Sequence, residues 1–166
     1  MQIVVVGLGS NLGNPCGNIL GAISLLRSML NVKKITISRF YLSKALTADE
    51  QDFAPDFINS AVAGKTYLSP EQLLLGLQII EKMIGRIANN KKWAARVIDL
   101  DLLLYRELKI ETANLSVPHK EMHRRDFVLE PVCDLYPDAK HPVLHKTFYN
   151  LKQNITRPYV TDKFLI

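Results

Sequence analysis

The chain has 166 residues, 48% hydrophobic and 22% charged, with a formal net charge of +5, the make-up of one globular domain around one core and not of a disordered or fibrous chain. Met1-Gln2-Ile3-Val4-Val5-Val6 has no basic residue ahead of its short apolar run, and no later stretch approaches a membrane span, so a single cytoplasmic domain over 1–166 with no membrane partner is expected. The positive charge favours an anionic partner without choosing among nucleic acid, an acidic surface and a small phosphorylated ligand.

Residues 2–8 read as a β-branched strand that stops at the turn-forming cluster Gly9-Ser10-Asn11-Leu12-Gly13-Asn14-Pro15. From Cys16 to Leu30 the apolar residues Ile19, Ile23, Leu26 and Leu30 recur at the spacing of an amphipathic helix. Lys34 to Tyr41 alternates polar and apolar side chains, which predicts a strand with one buried face, and a further strand is expected from Phe57 to Tyr67. Between them Ala45 to Pro55 is acidic and aperiodic, a surface loop long enough to serve as a mobile lid.

Ser69-Pro70-Glu71-Gln72 opens a helix that runs to about Gly85, with Ser69 as N-cap and a core stripe of Leu73, Leu77, Ile80 and Ile84. Gln78 and Glu81 fall three apart on another face, free to meet a ligand. Residues 86–95 have no clear period, and 97–104 read as a strand by composition apart from two aspartates. Ser116 to His119 is expected to open a short helical turn, Phe127 to Leu135 a helix, and the tail from about Asn154 to be peripheral and poorly packed. Cys16 and Cys133 form no CxxC pair and are read as reduced thiols without a metal or redox role. The order strand, helix, strand, strand, helix, strand matches the split βαβ arrangement of ferredoxin-like folds. That is an α+β class with an antiparallel sheet, helices packed on it, and C-terminal additions.

The chemistry concentrates at Asp99-Leu100-Asp101, where a period of two puts both carboxylates on one face of the strand. Like charges brought together there call for a cation or a proton, and hard oxygen ligands favour magnesium or calcium. A solvent-exposed sheet face is the plainer reading of an isolated DxD. The cations Lys82, Arg86, Lys91, Lys92 and Arg96 crowd the acid-free stretch before the strand, a pairing suited to polyphosphate. Trp93 is either a stacking platform or a hydrophobic plug, and the same loop suits single-stranded nucleic acid as a second reading. His119, His123, His141 and His145 give two HxxxH spacings without the glutamate of HExxH, and such histidines are more often surface residues than metal ligands. No GxxxxGK[ST] loop occurs.

Trp93 with Arg96-Val97-Ile98-Asp99-Leu100-Asp101-Leu102-Leu103 closely resembles the signature of the hydroxymethyl-dihydropterin pyrophosphokinase family. Gly9-Ser10-Asn11-Leu12-Gly13, Phe57-Ile58-Asn59, and Val117-Pro118-His119 with Arg125 and Phe127 resemble further family segments in the same order. The resemblance implies transfer of the β,γ-pyrophosphoryl group of ATP to the hydroxymethyl group of a reduced pterin, leaving AMP. Asp99 and Asp101 would hold two magnesium ions, with Arg96 and Arg86 as further catalytic residues. Gln78, Glu81, Arg86, Lys92, Trp93, Arg96, the Ile98 backbone, Ser116, His119 and Arg125 would surround ATP. Ser43, Leu46, Phe57, Asn59 and Phe127 would bind the pterin, the two phenylalanines sandwiching its ring. A monomer acting on two small molecules, with no nucleic-acid partner, is expected. The chain departs from the family pattern at Ser43-Lys44-Ala45-Leu46-Thr47, Ala88, Ala94-Ala95 and Asn114. These departures bear on loop closure and ATP affinity.

Overall fold

The structure, a computed structural model, describes residues 1–46, 54–87 and 95–165. In chain order the strands are β1 (Gln2–Ser10), β2 (Lys33–Ile37), β3 (Phe40–Ser43), β4 (Phe57–Thr66), β5 (Asp99–Tyr105), β6 (Ile110–Glu111), β7 (Ser116–Val117) and β8 (Val160–Phe164). The helices are α1 (Pro15–Ser28), α2 (Pro70–Ile84), α3 (Asp126–Leu135) and α4 (Phe148–Gln153), with a 3-10 turn at Met122–Arg124.

Six strands form one sheet in the order β5-β1-β4-β3-β8, with β2 also paired to β4, and every pairing is antiparallel. Taking β2 and β3 together as the second strand, the order is that of a ferredoxin-like core with β8 added at one rim. The predicted strand at 34–41 is therefore two pieces. At the break the Ser38 hydroxyl accepts from the Ala61 amide at 2.9 Å, and Asp134 accepts from the Arg39 amide at 3.0 Å, so side chains take over from the ladder.

α2 begins as its sequence dictates: Ser69 Oγ accepts from the Gln72 amide at 3.2 Å and Gln72 Oε1 accepts from the Ser69 amide at 2.9 Å, a reciprocal capping box. It ends at Gly85, whose φ of 107° suits a residue without a Cβ. Leu73, Leu77 and Ile80 lie with Ile19 and Leu26 of α1 in a core against Val4, Val6 and Leu8 of β1. The opposite sheet face carries a second core, where Leu129 and Val132 of α3 and Phe148 and Leu151 of α4 cover Val5, Ala61 and Leu103. Each of these large side chains contributes about 1.5–3 kcal/mol on full burial, so both faces are anchored.

Two expectations are corrected. Ser116 to His119 forms no helical turn: Ser116–Val117 is a strand paired with β6, and the helical turn lies further on at Met122–Arg124. The tail from 154 is peripheral in that none of its described residues is buried, but it is not poorly packed, because β8 pairs along β3 and the Phe164 ring stacks on Phe40 at 6.1 Å.

Candidate active site

β5 is a rim strand, and Asp99 and Asp101 stand on one of its faces by the period of two. Register places Gly9 opposite Asp99 on one side and opposite Asn59 on the other, while Gly7 faces Asp101. The absence of a side chain at Gly9 matters. A Cβ there would come within 3.3 Å of Asn59 Oδ1 and 3.7 Å of the Phe57 ring, so glycine keeps open the floor between the carboxylates and Asn59.

Over this floor lies a cavity of about 510 Å³ bordered by Ser43, Leu46, Phe57 and Asn59 on one side and by Arg96, Asp99, Asp101, Arg125 and Phe127 on the other. Nine of the predicted site residues thus meet in one cleft, and the aspartates do not lie on an open sheet face. Asp99 accepts from Arg86 Nη1 and from Arg96 Nη1, each at 2.6 Å. Burial, and after it the charge of Asp99, raises the pKa of Asp101, against which His119, Arg125 and Arg96 act in the lowering direction. Asp101 therefore sits in a field of both signs.

Arg96 is aimed by the end of β1. The Asn11 amide donates to the Arg96 carbonyl at 3.0 Å, and Asn11 Oδ1 accepts from the Arg96 amide at 2.6 Å. Asn18 Nδ2 donates to the Val97 carbonyl at 3.0 Å, and Ser10 Oγ donates to the same oxygen at 2.5 Å. None of these three polar residues carries a charge, and in the sequence Ser10 and Asn11 read as turn formers and Asn18 as part of a helix, with no link to Arg96. Their signal was a serine-asparagine pair directly after an apolar strand, buried here at 0% and 4% exposure.

On the other wall Asn59 Nδ2 donates to Ser43 Oγ at 2.9 Å and to the Tyr41 carbonyl at 3.5 Å. Ser43 is thus a side chain that orients Asn59, whose Oδ1 is turned toward Gly9. Phe57 comes from the start of β4 and Phe127 from the first turn of α3, with the Arg125 guanidinium 5.9 Å from the Phe127 ring centre.

The remaining predicted residues stand elsewhere. Glu81 is not free to face a ligand: it is buried, ion-paired with Arg86, and accepts from the Leu100 amide at 2.7 Å. Burial raises its pKa, opposed first by that hydrogen bond. Gln78 is exposed on α2, and the Ile98 side chain is in the core, which leaves its backbone alone for any ligand. Ser116 and His119 line a separate cavity of about 310 Å³ that shares no lining residue with the first. His119 is nonetheless tied to β5, its amide donating to the Leu103 carbonyl at 3.0 Å. Lys92 and Trp93 lie outside the described residues, as does the middle of the predicted lid, 47–53.

His141 is not a surface histidine. It is 4% exposed, its Nδ1 accepts from the Val143 and Leu144 amides at 3.2 Å each, and burial followed by the neighbouring His123 and His145 lowers its pKa to about 4. Among the described residues no group of three or more His, Cys, Asp or Glu side chains is arranged to hold a metal, and none of the helices is long and apolar enough to cross a membrane. Cys16 and Cys133 are free thiols.

A ferredoxin-like sheet with a carboxylate pair, two arginines and an aromatic-walled cleft on one face makes this an α+β protein with a cleft that is charged on one side and aromatic on the other. Residues 5–137 match the family described as 7,8-dihydro-6-hydroxymethylpterin-pyrophosphokinase, and the chain belongs to that family. It is 38% identical over 160 residues to the 2-amino-4-hydroxy-6-hydroxymethyldihydropteridine pyrophosphokinase of Aquifex aeolicus, covering 96% of both chains. It is 37% identical to the enzyme of the same name from Haemophilus influenzae, covering 86% of both. Among solved structures it superposes on Plasmodium falciparum HPPK-DHPS in its wild-type pteroate complex with a TM-score of 0.70 at 18% identity, covering 92% of this chain and 42% of that one. This chain thus spans under half of that longer protein, and the likeness is one of fold.

Proposed function

We propose that this protein transfers pyrophosphate from ATP to the hydroxymethyl group of 6-hydroxymethyl-7,8-dihydropterin in folate synthesis, releasing AMP. The observation that carries the reading is the convergence in one cleft of Asp99 and Asp101 with Arg96 on one side and of Asn59 with Phe57 and Phe127 on the other. Membership of the family makes it a pyrophosphokinase.

The residues present fit magnesium. Two carboxylates share a strand face, one with its proton affinity raised by burial and by the other's charge, the state that a divalent cation relieves. Magnesium commonly takes one or two protein carboxylates and completes its shell with water and substrate phosphates, so the lack of a third acidic ligand among the described residues is no obstacle. Asp99 and Asp101 would hold two such ions, which supply neutralisation of the polyphosphate charge.

The protein's own side chains do the rest. Arg96 and Arg86 present guanidinium groups to phosphate oxygens and stabilise charge as the bond to the β-phosphorus changes partners. The hydroxymethyl oxygen bonds to that phosphorus, the bond to the bridging oxygen breaks, AMP leaves with that oxygen, and the hydroxyl proton is released. His119, Arg125, Ser116, Gln78, the Ile98 backbone, Lys92 and Trp93 complete the nucleotide contacts, while Glu81 positions Arg86. Asn59 Oδ1 accepts from the pterin edge, Ser43 holds that amide in place, and Phe57 and Phe127 stack on the ring faces beside Leu46. The protein works as a cytoplasmic monomer.

The test is nucleotide analysis after incubation with ATP, magnesium and the pterin, leaving out one component at a time. AMP formed only in the complete mixture is the expected result. Binding of either ligand without AMP would make the protein a diverged pterin or nucleotide binder instead.

A further inference from the structure

The C-terminal strand touches both walls of the cleft, and it lies beyond the residues 5–137 that match the family. Asp126, the first residue of α3, is 4% exposed, and its Oδ2 accepts from the backbone amides of Tyr159 at 2.6 Å and Val160 at 2.7 Å. Its Oδ1 accepts from the Phe127 amide at 2.9 Å. One buried carboxylate therefore joins the backbone of the aromatic wall to the chain entering β8. On the opposite wall the Lys44 amide donates to the Tyr159 carbonyl at 2.9 Å, and Ser43 pairs in register with Val160. The Tyr159 ring meets Phe127 edge to face, with centroids 6.2 Å apart and planes at 85°.

We infer that Tyr159 is a positioning residue for the planar substrate: it holds Phe127 upright at the cleft while its backbone ties α3 to the end of β3. An isolated phenylalanine in the first turn of a helix has free rotamers at the cavity edge, and a ring must be held for stacking to be selective. The Tyr159 ring supplies that restraint from outside the cleft, since Tyr159 does not line the cavity itself. The contacts of Asp126 and Tyr159 around Phe127 thus come from the chain entering the C-terminal strand, outside the cleft itself. The inference rests on the proposed role of Phe127 in the pterin site.

The experiment compares Tyr159→Ala, Tyr159→Leu and Tyr159→Phe in the full chain with magnesium, reading KM for the pterin and for ATP from AMP release. Loss of one edge-to-face contact predicts a pterin KM raised about 3- to 10-fold in the Ala and Leu variants, with the KM for ATP within about twofold of the parent. Tyr159→Phe, which keeps the ring edge, retains the parental pterin KM. An unchanged pterin KM in the Ala and Leu variants, or equal weakening toward both substrates, overturns the inference. Phe127→Ala run in parallel separates the two layers: no effect there overturns the cleft reading itself, whereas an effect there with Tyr159 silent overturns only the positioning role.

Discussion

Glu81 of α2 accepts a hydrogen bond from the backbone amide of Leu100 at 2.7 Å, at the residue that separates Asp99 from Asp101. β5 is a rim strand, and an amide on the outer side of a rim has no neighbouring strand to receive it. The carboxylate closes that position and at the same time pairs with Arg86. Replacement by Ala leaves a buried amide without an acceptor and is expected to destabilise the fold by about 1–3 kcal/mol. Glu81→Gln, which keeps an acceptor oxygen, is expected to lose less. Urea unfolding of the two variants beside the parent gives the comparison, and equal stability of Ala and Gln would remove the amide from the explanation.

Asp101→Asn is expected to abolish turnover by more than about 100-fold, since even outer partners of metal ligands are worth up to that factor. The same variant should melt no lower than the parent without metal. Burial and the neighbouring Asp99 both raise the Asp101 pKa, so the ionised carboxylate opposes folding at neutral pH and the neutral amide removes that opposition. AMP release and thermal melts report the two halves. A large drop in melting temperature would show that the carboxylate is structural.

Gly9→Ala should raise the pterin KM by roughly tenfold, on the scale of overpacking a filled site, because the new methyl group meets Asn59 Oδ1 at 3.3 Å. Thermal stability should fall modestly as well, because the buried Asn59 side chain has to give way to the added atom. An unaltered KM would show that substrate stays clear of that floor.

His141 sets a pH limit on stability. Its folded pKa of about 4 lies below the ordinary 6.5, so between those values the unfolded chain takes up a proton that the native state refuses. The contribution is complete above pH 6.5 and declines as pH falls toward 4, by up to about 2–3 kcal/mol. His141→Asn keeps an acceptor for the Val143 and Leu144 amides and does not titrate. Urea unfolding at pH 7 and pH 4.5 should show a smaller acid loss in the variant than in the parent, and identical losses would place the acid sensitivity elsewhere.

Local patterns in the sequence reach far into this structure. Ser69 with Gln72 marks the start of α2, the 3.6-residue stripe marks its buried face, and the period of two at Asp99 and Asp101 marks the face of β5 that lines the cleft. What escaped depends on partners distant in the chain. Glu81 shares its helix face with exposed Gln78 by spacing alone, yet a strand amide nineteen positions on draws it inward. The stretch after Asn154 has no apolar period because β8 gains its place through backbone pairing with β3, which no side-chain pattern announces. Asn11 reads as a turn residue and Asn18 as an ordinary helix position because the backbone groups they serve belong to Arg96 and Val97.

The reciprocal pair of hydrogen bonds between Asn11 and Arg96 joins positions 85 residues apart. Closing a loop of that length carries an entropic penalty that no local turn can offset, so the guanidinium is not aimed until β1 and β5 have found each other. During refolding, helices can form early while the cleft remains chemically inert. The place of Arg96 in the cleft therefore waits on the pairing of β1 with β5, and a nascent chain cannot make that pair before its middle third has been made.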